Sequence, residues 1–166
     1  MIIRLAQPVD LPAILEIYNQ AVSTQSTGDT QPVRLEDRQK WFEDHRPEKY
    51  PIFVSQVDGE VAGWCSLSAY RAGRAALRFT AEISYYIARA HHRRGLGTAL
   101  VGHTLAACLR LEIRHLFAIV LENNAASLRL LEKMGFERWG YLPGVADFDG
   151  SEVGHLYYGR HVREGS

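Results

Sequence analysis

The sequence has little of several things, and each shortage removes a class of protein. Cysteine occurs only twice, at Cys65 and Cys108, in apolar settings without CxxC spacing; this is too few for a disulfide scaffold. Both read as buried thiols of a reducing compartment. No apolar run approaches the roughly eighteen residues of a membrane span, and the opening MIIRLAQPVD lacks the cationic stretch and apolar segment of a secretion signal. The chain therefore reads as cytoplasmic. Net charge is also missing, because nineteen basic residues balance nineteen acidic ones and leave no long-range field to gather nucleic acid or anionic lipid. Seven histidines are scattered, and the nearest pair, His91 and His92, has no spaced Cys, His or carboxylate partners, so no metal is expected. With no repeat, low-complexity stretch or long linker, residues 1–166 read as one domain.

What remains is an ordinary globular composition whose pattern alternates between strand and helix periods. Ile2 to Leu5 reads as a strand, and Asp10 as the cap of a helix with Leu11, Ile14, Leu15, Tyr18 and Val22 on one side. Ser23 to Gln31 breaks that pattern. A second helix is predicted over Leu35 to Asp44. Ile52 to Val57 and Val61 to Leu67 form a hairpin on Asp58-Gly59, the dipeptide suited to a tight turn. Glu82 to Ala88 alternates, with Ile83, Tyr85 and Ile87 on one side and Glu82, Ser84 and Tyr86 on the other. A helix from about Gly97 to Leu111, a strand His115 to Leu121, a helix Ala125 to Met134 stopped by Gly135, and two further β segments follow. The expected fold is mixed α/β, a mostly antiparallel central sheet flanked by helices. Trp41, Phe42, Trp64 and Trp139, and the tyrosines Tyr141, Tyr157 and Tyr158, read as core at their helix and strand periods.

The segment IARAHHRRGLGTAL joins a strand to a helix through two glycines, a junction that directs backbone N–H groups and the positive helix end at one spot. An anion fits there, with Arg93, Arg94 and Thr98 adding charge and a hydroxyl. On the glycines alone a plain helix-initiating turn accounts for the stretch as well. The stretch His92, Arg93, Arg94, Gly95, Leu96, Gly97 resembles the Q/R-x-x-G-x-G/A cofactor loop of the GNAT superfamily, with His92 in place of Gln or Arg. The segment with Asn124, Ser127, Gly135 and Phe136 resembles that superfamily's Asn-x-x-Ser/Ala helix ending in Gly-Phe. IYNQAV, YPIFVSQVDGEVAGWCSL, RFTAEISYYI, HHRRGLGTAL and NNAASLRLLEKMGFE together resemble its phosphinothricin and amino-acid N-acyltransferase branch over nearly the whole chain.

The resemblance implies acetyl-CoA as co-substrate, held by Arg93, Arg94, Gly95, Leu96, Gly97, Thr98, Asn124 and Ser127, with strand backbone near Ile87 polarising the thioester carbonyl. It implies that Glu82, in TAEISYYI against the branch's TAESTVYV, takes the proton of the attacking amine. Read without it, Glu82 is equally an edge-strand carboxylate or an arginine's partner. Leu131 stands where many members carry a Tyr and this branch a His, so no general acid is expected there; Tyr141, Tyr157 and Tyr158 are the possible substitutes, set against their reading as core. On the acceptor side Arg71, Arg78 and Tyr86 are the candidates, since guanidinium groups grip carboxylates and phosphinates in pairs of hydrogen bonds. A solvated basic loop explains Arg71 and Arg78 equally well. The implied reaction is acetylation of the amino group of a small amino acid or analogue such as phosphinothricin or methionine sulfoximine, by a homodimer. Acetylation of peptide N-termini or polyamines, and a silent acyl-CoA sensor, are the alternatives.

Overall fold

The computed structural model describes residues 1–162. Seven strands form one sheet in the order β1-β2-β3-β4-β5-β7-β6. In chain order the elements are β1 (Ile2–Leu5), α1 (Leu11–Ser23), α2 (Leu35–Asp44), β2 (Ile52–Val57), β3 (Glu60–Ala69), β4 (Thr80–Ile87), α3 (Leu96–Arg110), β5 (His115–Leu121), α4 (Ala125–Lys133), β6 (Glu137–Phe148) and β7 (Ser151–His161). Every strand pair is antiparallel except β4 with β5, which the α3 crossover makes parallel. The mixed α/β reading of the sequence is the fold observed.

Two layers of helix cover the sheet. On one face α3 and α4 bury Leu100, Val101, Leu105, Cys108 and Leu131 against Phe53, Cys65, Leu67, Ile83, Leu116, Ala118 and Leu156. Fully burying side chains of this size stabilises by about 1.5–3 kcal/mol each. On the other face α1 packs Ile14 and Ile17 on Ile52, Val54 and Trp64, with Trp41 and Phe42 of α2 alongside. That second cluster contains no buried residue of β5, β6 or β7. There the face continues as aromatic rings: Tyr70 edge-on to Phe117 at 5.1 Å, Phe117 stacked on Tyr157 at 5.9 Å, and Trp139 beside them over Gly159.

Three expectations need correction. Asp10 does not cap α1 through its side chain: it closes a single 3-10 turn, accepting from Gln7 N–H at 2.7 Å and from both terminal nitrogens of Arg4 at 2.7 and 2.9 Å. Trp139 is not core, at 45% exposure, because β6 is the sheet edge and only one side of the ring finds a neighbour. Tyr141 is likewise exposed, its hydroxyl donating to Glu122 at 2.8 Å.

Candidate active site

The site begins where the sheet splits. β4 and β5 pair over only three residues each, Thr80 to Glu82 against His115 to Phe117. Beyond them β4 stays with β3 to Ile87 and β5 stays with β7 to Leu121, so the two strands part. The opening is a cavity of about 700 Å³ lined by residues 82–87 and 118–121. Strand alternation decides which backbone groups face it. Ala88 N–H bonds Ala62 O at 2.9 Å and Tyr70 N–H bonds Thr80 O at 3.3 Å, so the even-numbered residues of β4 exchange hydrogen bonds with β3. The odd ones, Ile83, Tyr85 and Ile87, therefore turn N–H and C=O toward the split.

At the wide end the loop before α3 takes a shape few sequences allow. Arg93 (φ 60°) and Gly95 (φ 80°) are both left-handed, which aims successive N–H groups to one side just ahead of the α3 N-terminus. Arg93, Gly95, Leu96, Gly97 and Thr98 line the cavity, and this cradle of donors suits the diphosphate of CoA. The two glycines serve different ends. An added Cβ at Gly95 meets nothing, so conformation alone favours glycine there; at Gly97 it lies 2.6 Å from Leu130 Cδ1, so a side chain there requires that leucine to shift. Arg94 turns away, bonding His91 Nδ1 at 2.9 Å, and does not line the cavity. His92, the residue that departs from the family pattern, ties the loop to the strand through Nε2 on Ile87 O at 2.9 Å.

The start of α4 forms the opposite wall. Asn124 Oδ1 caps the helix by accepting from Ser127 N–H at 3.3 Å, and both residues line the cavity. Tyr85 Oη donates to Ser127 Oγ at 3.1 Å. Leu131, one turn on, is fully buried in the core and Leu130 is the leucine that reaches the cavity.

At the closed end lies Glu82, half-buried in the wall. Burial holds its carboxyl above the ordinary range, and among the described residues it has no ion-pair partner. Tyr86 shares its face and bonds Thr27 Oγ1 at 3.2 Å; Thr27 lies 3.3 Å from Tyr18 Oη, which donates to Asp29. This chain of hydroxyls fixes the α1–α2 connection, whose Thr24, Ser26, Thr27 and Gly28 wall the cavity. Gln20 adds a clamp, accepting from Arg89 N–H at 2.8 Å. The sequence marks this connection only as a break in helical period, and nothing in the pattern assigns Thr27, Gln20 or His155 to the cavity.

The structure thus brings together Glu82, Tyr86, Ile87, Arg93, Gly95, Leu96, Gly97, Thr98, Asn124 and Ser127. Arg71 and Arg78 are not among the lining residues. Arg78 donates to Ala75 O at 2.8 Å and stacks 4.2 Å over Phe79, while Arg71 sits exposed in a turn closed by Arg74 N–H on its carbonyl.

Comparison with known proteins bears on the same points. Residues 1–137 match the acetyltransferase (GNAT) domain. YwnH of Bacillus subtilis, provisionally named a phosphinothricin acetyltransferase, is 40% identical over 98% of this chain and 99% of its own. The L-methionine sulfoximine/L-methionine sulfone acetyltransferase of Pseudomonas aeruginosa strain PAO1 is 37% identical over 86% of this chain and 84% of its own. Among solved structures, a GNAT superfamily phosphinothricin acetyltransferase from Sinorhizobium meliloti in complex with acetyl-CoA superposes with a TM-score of 0.91, at 28% identity, over 99% of this chain and 90% of that one. On these matches the chain belongs to the GNAT family of acetyl-CoA-dependent acetyltransferases.

Proposed function

We propose that this enzyme moves the acetyl group of acetyl-CoA onto the α-amino group of a small amino acid or analogue, of the methionine sulfoximine or phosphinothricin kind. The observation that carries the reading is Glu82: a half-buried, unpaired carboxylate at the closed end of the split, beside β4 backbone donors. The loop 93–98 takes the diphosphate, which leaves the acyl arm to run along the split toward Glu82. N–H groups of Tyr85 and Ile87 point where the thioester oxygen gains charge. Glu82 collects the amine proton as the C–N bond forms, and its raised pKa suits it to that work near neutral pH. The C–S bond then breaks and CoA leaves as thiolate.

Two relatives named for methionine sulfoximine or phosphinothricin support the acceptor class. The decisive experiment is thiol release from acetyl-CoA against amino acids, sulfoximines, polyamines and peptides. Amino acids or sulfoximines should give the highest kcat/KM, and a polyamine or peptide that surpasses them overturns the acceptor class.

The working form in this reading is a cytoplasmic homodimer. Two buried free thiols suit a reducing compartment. Exposed Tyr70 and Trp139, which flank half-buried Tyr157 and buried Phe117 on this face, suit contact with a second copy of the chain. Tyr70 begins the connection that carries Arg71 and Arg78, so these two arginines contribute to an acceptor site only across that interface.

A further inference from the structure

Glu82 and the β4 backbone account for the amine and the carbonyl, which leaves the departing sulfur without a partner. Family members that carry a Tyr or His on α4 have one available; here that position is Leu131, with no exposure at all. The chain differs at a second place. TAEISYYI puts Tyr85 where the branch pattern TAESTVYV has Val, and this hydroxyl reaches α4 from the strand opposite, ending on Ser127 Oγ at 3.1 Å. Ser127 lies one turn before Leu131, so both project from the same side of the helix. A hydroxyl absent from α4 is thus supplied from β4.

We propose that the Tyr85 hydroxyl is a catalytic group of this enzyme, turning from Ser127 to donate a hydrogen bond to the sulfur of CoA as it leaves. The strand geometry sets this arrangement. Glu82 and Tyr85 are an odd number of residues apart and project to opposite faces of β4, Tyr85 packing toward the α3 and α4 cluster. The amine arrives and loses its proton on one side, and the thiol departs on the other. Tyr85 and its partner Ser127 both line the cavity that receives the acyl arm in the acetyl-transfer reading. Burial, countered in part by the Ser127 bond, holds its phenol above the usual value, which keeps it a donor throughout the working range.

The step balances without any further reactant. The amine nitrogen bonds the acyl carbon, its proton passes to Glu82 and on to water, and the C–S pair stays on sulfur. The thiolate is held by Tyr85 O–H without full proton transfer, and after release it takes a proton from water, since an ordinary thiol pKa near 8.5 leaves it mostly protonated at neutral pH. The proposal rests on the acetyl-transfer reading above.

Tyr85→Phe tests it, because the ring and its packing remain while the donor is lost. With wild-type acetyl transfer established, we expect kcat for the variant to fall about 10- to 100-fold, the loss of one hydrogen bond to a charge, with KM for both substrates within about two-fold. A second measurement excludes a merely structural role. Above the thiol's ordinary pKa of about 8.5, calorimetry should show wild type binding CoA more tightly than Tyr85→Phe does, while desulfo-CoA, which has no sulfur, binds both alike. A kcat within two-fold of wild type overturns the proposal, and so does a kcat loss with no CoA-specific difference in affinity. Absence of acetyl transfer in the wild type defeats the acetyl-transfer reading instead.

Discussion

At Glu82 the requirements of chemistry and of stability oppose each other. Burial without a cation raises its pKa in the folded state, so the native protein holds this proton more tightly than the unfolded chain does. Stability contributed by the group is therefore greatest below the ordinary carboxylate range and falls as pH rises through the folded value. Glu82→Gln should raise the melting temperature at neutral pH and leave it unchanged near the acid end, read by scanning calorimetry at both. The same variant should lose about 100-fold in kcat at neutral pH, with acetyl-CoA affinity retained and the deficit shrinking as pH rises and the amine arrives neutral. Parallel pH-rate profiles for the two proteins would remove Glu82 as the base. The loop glycines divide in a comparable way. Gly95→Ala forces a side chain into the left-handed region, a cost of about 1–2 kcal/mol concentrated where N–H groups meet phosphate, whereas Gly97→Ala must displace Leu130. Both should weaken acetyl-CoA binding in calorimetry, and Gly97→Ala should lower the melting temperature as well.

Individual elements differ in how far the sequence foretells them. The bounds of α2 and β2, and the Asp58-Gly59 hairpin, follow from period and turn chemistry, which are local. β4 begins two residues earlier than its alternation implies because Thr80 and Ala81 are held by β3 and β5, a long-range pairing that leaves no mark in sequence. Trp139 has the period of a core residue, yet its seat is made by the missing side chain of Gly159 across an edge strand. Of the candidate site, the cavity lining by loop 93–98 and by Glu82 was legible because each is a short contiguous motif, although Arg94, expected in that loop's site, turns away to His91. The Tyr86–Thr27–Tyr18–Asp29 chain was not, since it joins β4 to a connection some sixty positions away. The entrance to α1 carries its own prediction. Asp10, buried and bound by Arg4, has its carboxyl held below the ordinary range by that hydrogen bond above all. Its stabilisation is full above the unfolded pKa and disappears as pH falls through the lower folded one. Asp10→Asn should cost about 2 kcal/mol in denaturant titration at neutral pH and much less in strong acid.

For the whole molecule, the exposed rings of Tyr70 and Trp139 make association testable. Trp139→Asp should convert the proposed dimer to monomer in sedimentation equilibrium without unfolding it, and an unchanged mass would move the interface elsewhere. The split sheet has a wider consequence. Three residue pairs between β4 and β5 are the ladder that joins β1–β4 to β5, β7 and β6, and in the proposed reading acetyl-CoA bridges much of the remaining seam. Folding and cofactor supply then become linked: at 100 times its dissociation constant, a ligand that binds only the native state adds about 2.7 kcal/mol to stability. Amide exchange along residues 83–87 and 118–121 should slow selectively with acetyl-CoA, and resistance to proteolysis should rise with it. Where degradation acts on the unfolded chain, losing that ligand would raise the susceptible fraction about 100-fold, so acetyl-CoA would protect the protein as well as feed its reaction.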